Sequence, residues 1–395
     1  MKATGIICEY NPFHLGHAGH IGMTRELLGS DCAIVCVMSG NFVQRGDFAV
    51  FNKFARAEAA VRCGADLVVE LPAPYALSSA EGFAKAGIFV LDSLGVCGTV
   101  SFGSESGDLG ALREAAEAIV TVESDTVIKE WLGNGLPYAA AQQKAADAVL
   151  GSGSEVFKSP NNLLGIEYIK AINTLGSSLQ PVTVLRTGGE HDSDTGFSAS
   201  ALRKLLLHGD EPWESMPRES AAVCIGEIAA GRGPVSMKSA ELAMLSRLRA
   251  APDFSALPDA SEGLDRRFAR YAASEVGVDD ILEKIKTKRY AMSRIRRMLM
   301  CACLGITAED TREPPPYIRV LAMNRVGMSL LHTARKESRL PVITKPASAH
   351  KLPGRAKDIF YKEAAATDFY TLAYPNEHQR SGGQEWRQSP LIVGL

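Results

Sequence analysis

Residues 9–20 read EYNPFHLGHAGH and place three of the chain's eight histidines within seven positions. The apolar run Gly5-Ile6-Ile7-Cys8 precedes them and the texture after them is helical. Asn11 and Pro12 are turn formers, so NPFHLGH reads as the turn from a first strand (5–10) into a helix that starts near Leu15 and runs through 17–29. A helix start presents backbone N–H groups and the positive end of the helix dipole, which together make an anion site. Gly16 lets a ligand come close to the backbone. His14 and His17, three residues apart, then project toward the same place and supply imidazole donors for charge that develops on a breaking phosphoanhydride. By itself such a turn is as easily a histidine-rich loop or half of a metal site. No HExxH pair or cysteine cluster accompanies it, so no metal-ligating set is predicted.

The rest of the first half decides between these readings. Short β-branched runs at 33–39, 66–72, 98–104 and 182–187 alternate with helical stretches at 52–63, 79–93, 109–121 and 161–175. Nearly continuous apolar strands separated by helices predict a doubly wound α/β fold with a parallel sheet, whose ligands sit beyond the carboxyl ends of the strands. The histidine turn is at such an end. So is SGNFVQRGD after the second strand, where Arg45 is suited to a carboxylate or pyrophosphate and Lys53, eight residues on, reads as a solvated helix residue.

A second stretch, FSASALR (197–203), reads as a capped helix start, with Ser198 or Ser200 capping a helix from near Ala201 and Arg203 one turn on. From about 199 the texture is helical, and after the loop at 251–263 a second helical region runs to about 304. LPVITK (340–345) reads as a short strand and 356–371 as a last helix.

The 395-residue chain is 46% hydrophobic and 22% charged, an ordinary globular composition. No apolar run is long enough to span a bilayer, and Glu9 comes too soon for a signal peptide, so no membrane association and a cytoplasmic location are expected. The eight cysteines form no CxxC pair and read as reduced core thiols. Charge is uneven. Residues 1–250 hold 20 Lys+Arg against 28 Asp+Glu, a net of −8; residues 251–395 hold 23 against 17, a net of +6; the sum is −2. A basic back half points to an anionic partner. Its densest segment, KIKTKRYAMSRIRR (284–297), has seven Lys+Arg. A solvated charged helix and an RNA contact both fit that segment.

NPFHLGH followed by FSASALR resembles the HxGH nucleotidyltransferase superfamily, with Phe197 where the second motif usually has Ile. Six blocks in order, EYNPFHLGHAGHI, VMSGNFVQRGD, GADLVVELP, FGSESGD, SPNNLLGIEYIKAI and KTKRYAMSRIRRM, resemble the tRNA(Met) cytidine acetate ligase family along almost the whole chain. The resemblance implies a Rossmann-like nucleotidyltransferase domain (1–205), a helical extension (206–250) and a basic, mainly helical tRNA-binding domain (251–395). It implies an enzyme that uses ATP, with Mg²⁺ carried on the polyphosphate, and acetate to acetylate the wobble cytidine of elongator tRNA(Met). It carries ATP contacts onto Ile7, Cys8, Glu9, Tyr10, Asn11, Pro12, Phe13, His14, Leu15, Gly16, His17, Ala18, Gly19 and His20, and onto Gly103, Asn161 or Asn162, and Arg186. Ser198 and Ser200 join that set, and His14, His17 and Arg203 are the expected catalytic residues. Lys288, Arg289, Arg296 and Arg297 are expected to meet tRNA phosphates. A small-molecule adenylyltransferase and a non-catalytic RNA-binding protein are the rival readings. The oligomeric state stays open.

Overall fold

A computed structural model describes residues 2–123, 151–186, 198–251 and 253–394, with isolated positions between 128 and 144. Phe197 and most of the stretch after Arg186 lie outside the described residues.

Strands β1 (Ala3–Cys8), β2 (Ala33–Ser39), β5 (Leu67–Leu71), β6 (Thr99–Ser104) and β7 (Gln180–Leu185) form the parallel part of one sheet, in the order β5-β2-β1-β6-β7. β3 (Phe42–Val43) and β4 (Asp47–Phe48) form a separate hairpin after β2. The strand order reverses at β1, so a crevice opens beyond the carboxyl ends of β1 and β6. β2 is buried along its whole length, as a run of Ile, Val, Cys and Met predicts for a strand covered on both faces.

The helices flank these strands much as the sequence indicates. They are α1 (Leu15–Leu28), α2 (Lys53–Arg62), α3 (Ala73–Ala76), α4 (Ala80–Leu94), α5 (Leu109–Glu123) and α6 (Pro160–Leu175). The all-helical stretch comprises α7 (Ala199–His208), α8 (Arg218–Ala229), α9 (Glu241–Ala250), α10 (Leu264–Ser274), α11 (Val278–Ile285) and α12 (Met292–Leu304). α9 to α12 enclose a second core, through Met244, Phe268, Ile281 and Met298, which also packs on the hairpin residues Phe42 and Phe48.

The expected boundary at 251 does not follow the sheet. β8 (Ile318–Met323) lies antiparallel against β5, and β9 (Val342–Ile343) and β10 (Leu391–Ile392) pair with β8. The apolar run YIRVLAM thus completes the first sheet instead of belonging to a separate basic domain. α13 (Arg325–Glu337), α14 (Gly354–Thr371) and the short α15 (Gln384–Arg387) close the molecule around it.

Lys53 is a second correction. It is fully buried, with its Nζ 2.6 Å from Glu70, 3.1 Å from Glu363 and 2.7 Å from Glu385. Arg319 of β8 also pairs with Glu385, at 3.1 Å. Three carboxylates face two cations. Burial and the neighbouring carboxylates push the Glu70 carboxyl well up, whereas Lys53 and Arg319 hold Glu385 ionised below its usual range. Strands and helices from both ends of the chain meet in this network. A Lys at a helix start gave no sequence signal of it, because its partners lie 17 to 332 residues away.

Candidate active site at the carboxyl edge of the sheet

Tyr10, two residues past the end of β1, has φ +46°, a left-handed conformation uncommon for a residue with a side chain. Its buried ring holds the turn in place, edge-on to Phe13 at 4.7 Å and to His17 at 4.9 Å. Asn11 Oδ1 accepts from Val50 N–H at 2.7 Å. Arg56, also buried, donates to the carbonyls of Glu9, Gly40, Ser39 and Phe51 and so ties the ends of β1 and β2 together. These contacts fix the loop that carries the histidines.

His14 is the N-cap of α1, and its Nδ1 accepts from Gly16 N–H at 3.1 Å. His17 answers from the third helical position, its Nδ1 accepting from His14 N–H at 3.2 Å. The rings stack with centroids 3.8 Å apart. Because each Nδ1 accepts a backbone hydrogen bond, the proton of each neutral ring belongs on Nε2. Two Nε2–H donors are thereby held side by side at a helix start. Gly16 has a further reason to be glycine: a Cβ there would lie 2.9 Å from the His14 ring. Beside Gly19, among the described residues nothing outside α1's own backbone lies within 4 Å of such a Cβ, so that surface of α1 is open there.

His20, one turn on, has a different environment. Its Nε2 is 3.0 Å from Ser101 Oγ, which in turn meets Thr24 Oγ1 at 2.7 Å. Burial, then the positive charge of Arg186, lower its pKa to about 4, so the ring is neutral near pH 7.

Arg186 directly follows β7, and its N–H donates to Ser104 carbonyl at 2.9 Å. Its stem crosses Gly103, where a Cβ would lie 2.9 Å from Arg186 Cγ. Gly103 therefore makes room for Arg186 as well as for any ligand. Both asparagines engage the loop after β6. The Glu105 carboxylate sits on the start of α6, accepting from Asn161 Nδ2 at 2.6 Å and from Asn162 N–H at 2.9 Å. Asn162, 3% exposed, returns its Oδ1 to the N–H groups of Glu105 and Ser106. Asn162 is thus a clamp for the loop after β6, and Asn161 is the more exposed of the two. Glu105 was missed in the sequence because an acid in a GSESGD turn looks like any solvated loop carboxylate.

The second motif meets the first. Ser198 Oγ caps α7 by accepting from Ala201 N–H at 3.1 Å. Ser200 instead receives Arg203, whose guanidinium also donates to Asn11 carbonyl at 2.8 Å. Arg203 thus lies against the turn that leads to His14.

The β3–β4 hairpin connects this site to the basic stretch. Gly46 has φ +75°, and a Cβ on it would lie 2.3 Å from the backbone nitrogen of Arg297. Asp47 lies 3.6 Å from Arg296. Arg45 is exposed at the hairpin tip. Within the basic stretch, Lys288 and Arg289 are exposed, Arg289 leaning on Glu262 at 3.2 Å. Arg297 is not on the surface as expected: it is 8% exposed and paired with Asp259 at 3.1 Å. Its alkyl stem and charge brace α12 against the loop before α10.

A family model for the HIGH nucleotidyl transferases matches residues 1–385, and the chain belongs to that family. Within it, the chain falls among the tRNA(Met) cytidine acetate ligases. It is 35% identical to the tRNA(Met) cytidine acetate ligase of Acetivibrio thermocellus across the full length of both chains. It is 37% identical to that of a Thermoanaerobacter species, over 95% of this chain and 96% of the relative. The crystal structure of Thermotoga maritima TmcAL bound with alpha-thio ATP superposes with a TM-score of 0.91, at 34% identity and full coverage of both chains. Among the described residues no helix is long and apolar enough to cross a membrane.

Proposed function

We propose that the protein is an ATP-dependent tRNA cytidine acetate ligase acting in the cytoplasm on elongator tRNA(Met). The observation that carries this reading is the stacked His14–His17 pair, anchored through both Nδ1 atoms at the β1–β6 crevice, in a chain so similar to an enzyme solved with an ATP analogue.

In the first step an acetate oxygen attacks the α-phosphorus, the bond to the β-phosphate oxygen breaks, and acetyl-adenylate and pyrophosphate form. The Nε2–H donors of His14 and His17 stabilise charge building on the phosphates. Arg203, held against the same turn, and Arg186, beside Gly103, add positive charge. Mg²⁺ carried on the ATP polyphosphate would neutralise part of its charge. In the second step the cytidine N4 attacks the acyl carbon and AMP leaves. The anhydride is already reactive, so no protein nucleophile is required. An anticodon loop presents the base unpaired. Exposed Lys288 and Arg289, with Arg296 beside the hairpin, meet the tRNA backbone, and Arg297 holds them in place from beneath.

Incubation with ATP, labelled acetate and tRNA tests the whole reading. Label in RNA at cytidine, with AMP and pyrophosphate in equal amounts, is expected. Pyrophosphate release with label only in a small product would favour a small-molecule adenylyltransferase. Binding of RNA without any turnover would leave a non-catalytic binding protein.

A further inference from the structure

A second aromatic and basic surface lies away from the stretch at 284–297. His350 and the indole of Trp386 stack with centroids 4.6 Å apart and planes 3° from parallel. Tyr361 stands edge-on to Trp386 at 5.1 Å, and its hydroxyl lies 2.8 Å from His350 Nδ1. His350 and Tyr361 are exposed. Around them, Lys345 and Lys351 are exposed and Lys357 Nζ lies 5.7 Å from the centre of the Tyr361 ring. Residues 344–362 hold five Lys+Arg and one acid, Asp358. Two of those cations are committed elsewhere, Arg355 to the carbonyls of Asp310, Glu313 and Pro314 and Lys362 to Asp310.

The aromatic group is rigidly held. Trp386 follows Glu385, which Lys53 and Arg319 lock in the core, and its ring packs on buried Phe360 at 5.1 Å. Phe360 packs on Tyr317, at the start of β8 and level with the carboxyl end of β5. The platform therefore shares an edge of the sheet with the histidine turn. Four strand pairings, through β2, β5, β8 and β9, lead from β1 to the strand that runs into Lys345 and His350.

We propose that this surface is a second RNA contact: an unpaired base extends the His350–Trp386 stack while Lys345, Lys351 and Lys357 take the adjoining phosphates. Base–aromatic stacking needs a preformed ring face, and phosphate contact needs cations not already paired with carboxylates; the surface offers both among the described residues. The inference rests on the reading that the protein acts on tRNA.

The test is tRNA binding by the full chain, titrated between 50 and 200 mM salt. The triple variant Lys345→Ala/Lys351→Ala/Lys357→Ala is expected to bind more weakly and to flatten the salt slope by about two units, because each lost phosphate contact removes roughly 0.7–0.9. His350→Ala is expected to weaken binding roughly fivefold to a hundredfold at every salt concentration, leaving the slope alone, with His350→Phe restoring it. Melting curves show whether each variant keeps its fold; weakening that tracks a loss of fold overturns the proposal. Wild-type binding with unchanged affinity and slope in these variants overturns it too, while the tRNA reading stands. If the wild type binds no tRNA, the reading itself falls and takes this contact with it.

Discussion

Two helices start near the ligand crevice, and the chain treats them in opposite ways. α1 is capped by two imidazoles, with no acid in its first turn. α6 is capped by Glu105, whose carboxylate covers the amides of Asn161 and Asn162. Both starts carry the same partial positive charge from aligned peptide dipoles. At α6 the protein's own carboxylate neutralises it and the helix becomes a clamp for the loop after β6. At α1 the caps satisfy backbone groups without supplying a negative charge, so the field remains for a ligand. A helix start is therefore an anion site only where the fold does not neutralise it first.

The largest effect that would test this contrast is on His17. His17→Ala should reduce acetyl-adenylate formation by about a hundredfold or more, the scale of one lost charge-stabilising donor. The same substitution removes half of a reciprocal cap and should cost about 0.5–2 kcal/mol of stability. Pyrophosphate release within a few-fold of wild type would make the imidazole a cap alone and erase the difference between the two helices. Arg203→Ala should come next, with tenfold or greater losses shared between kcat and ATP affinity, since it contacts the histidine turn from outside. An effect on KM alone would reduce Arg203 to ground-state binding.

What could be read in advance follows the range of the interactions. β1, its turn and α1 are contiguous, so apolar runs, turn formers and an i, i+3 histidine pair were enough to place the two imidazoles at a helix start after the first strand. The Arg203–Asn11 contact spans 192 residues, yet both ends carry local motifs, and the resemblance joined them. Lys53, Arg56 and Glu105 had no local signature. Each is a charged residue whose role is set by distant partners: carboxylates of β5, α14 and α15 for Lys53, carbonyls of β2 and its neighbours for Arg56, and the start of α6 for Glu105. Charge counting misled for a related reason. Arg297 counts among the seven cations of the basic stretch in sequence, but in the fold it is buried against Asp259. β8 was missed because YIRVLAM follows a proline run, and only its pairing with β5 makes it a strand.

His20 sharpens the contrast through pH. Its folded pKa of about 4 is below the unfolded value of 6.5, so the unfolded chain binds the extra proton between them. The stabilisation from a neutral His20 is complete above pH 6.5 and is lost as pH falls toward 4, on the order of 3 kcal/mol in all. Denaturant titrations across that window should lose this slope in His20→Gln, which keeps a polar group for Ser101. An unchanged slope in the variant would mean that other groups carry it.

The smallest predicted effect is the one that tests the comparison from the α6 side. Glu105→Gln keeps the side chain's shape but removes its charge. The remaining carbonyl oxygen can still accept from one backbone amide, while the NH₂ end turns a donor toward donors at the helix start. The loss of charge–dipole attraction and of one hydrogen bond should cost about 1–2 kcal/mol. Adenylation should fall by less than tenfold, since the clamp positions Gly103 and Arg186 without touching the reacting atoms. Unfolding free energies, with kcat and KM for ATP in the pyrophosphate assay, measure both quantities. Tighter ATP binding in the variant, or an activity loss larger than that of His17→Ala, would show that ATP phosphates compete for the α6 start, and the roles given to the two helices would have to be exchanged.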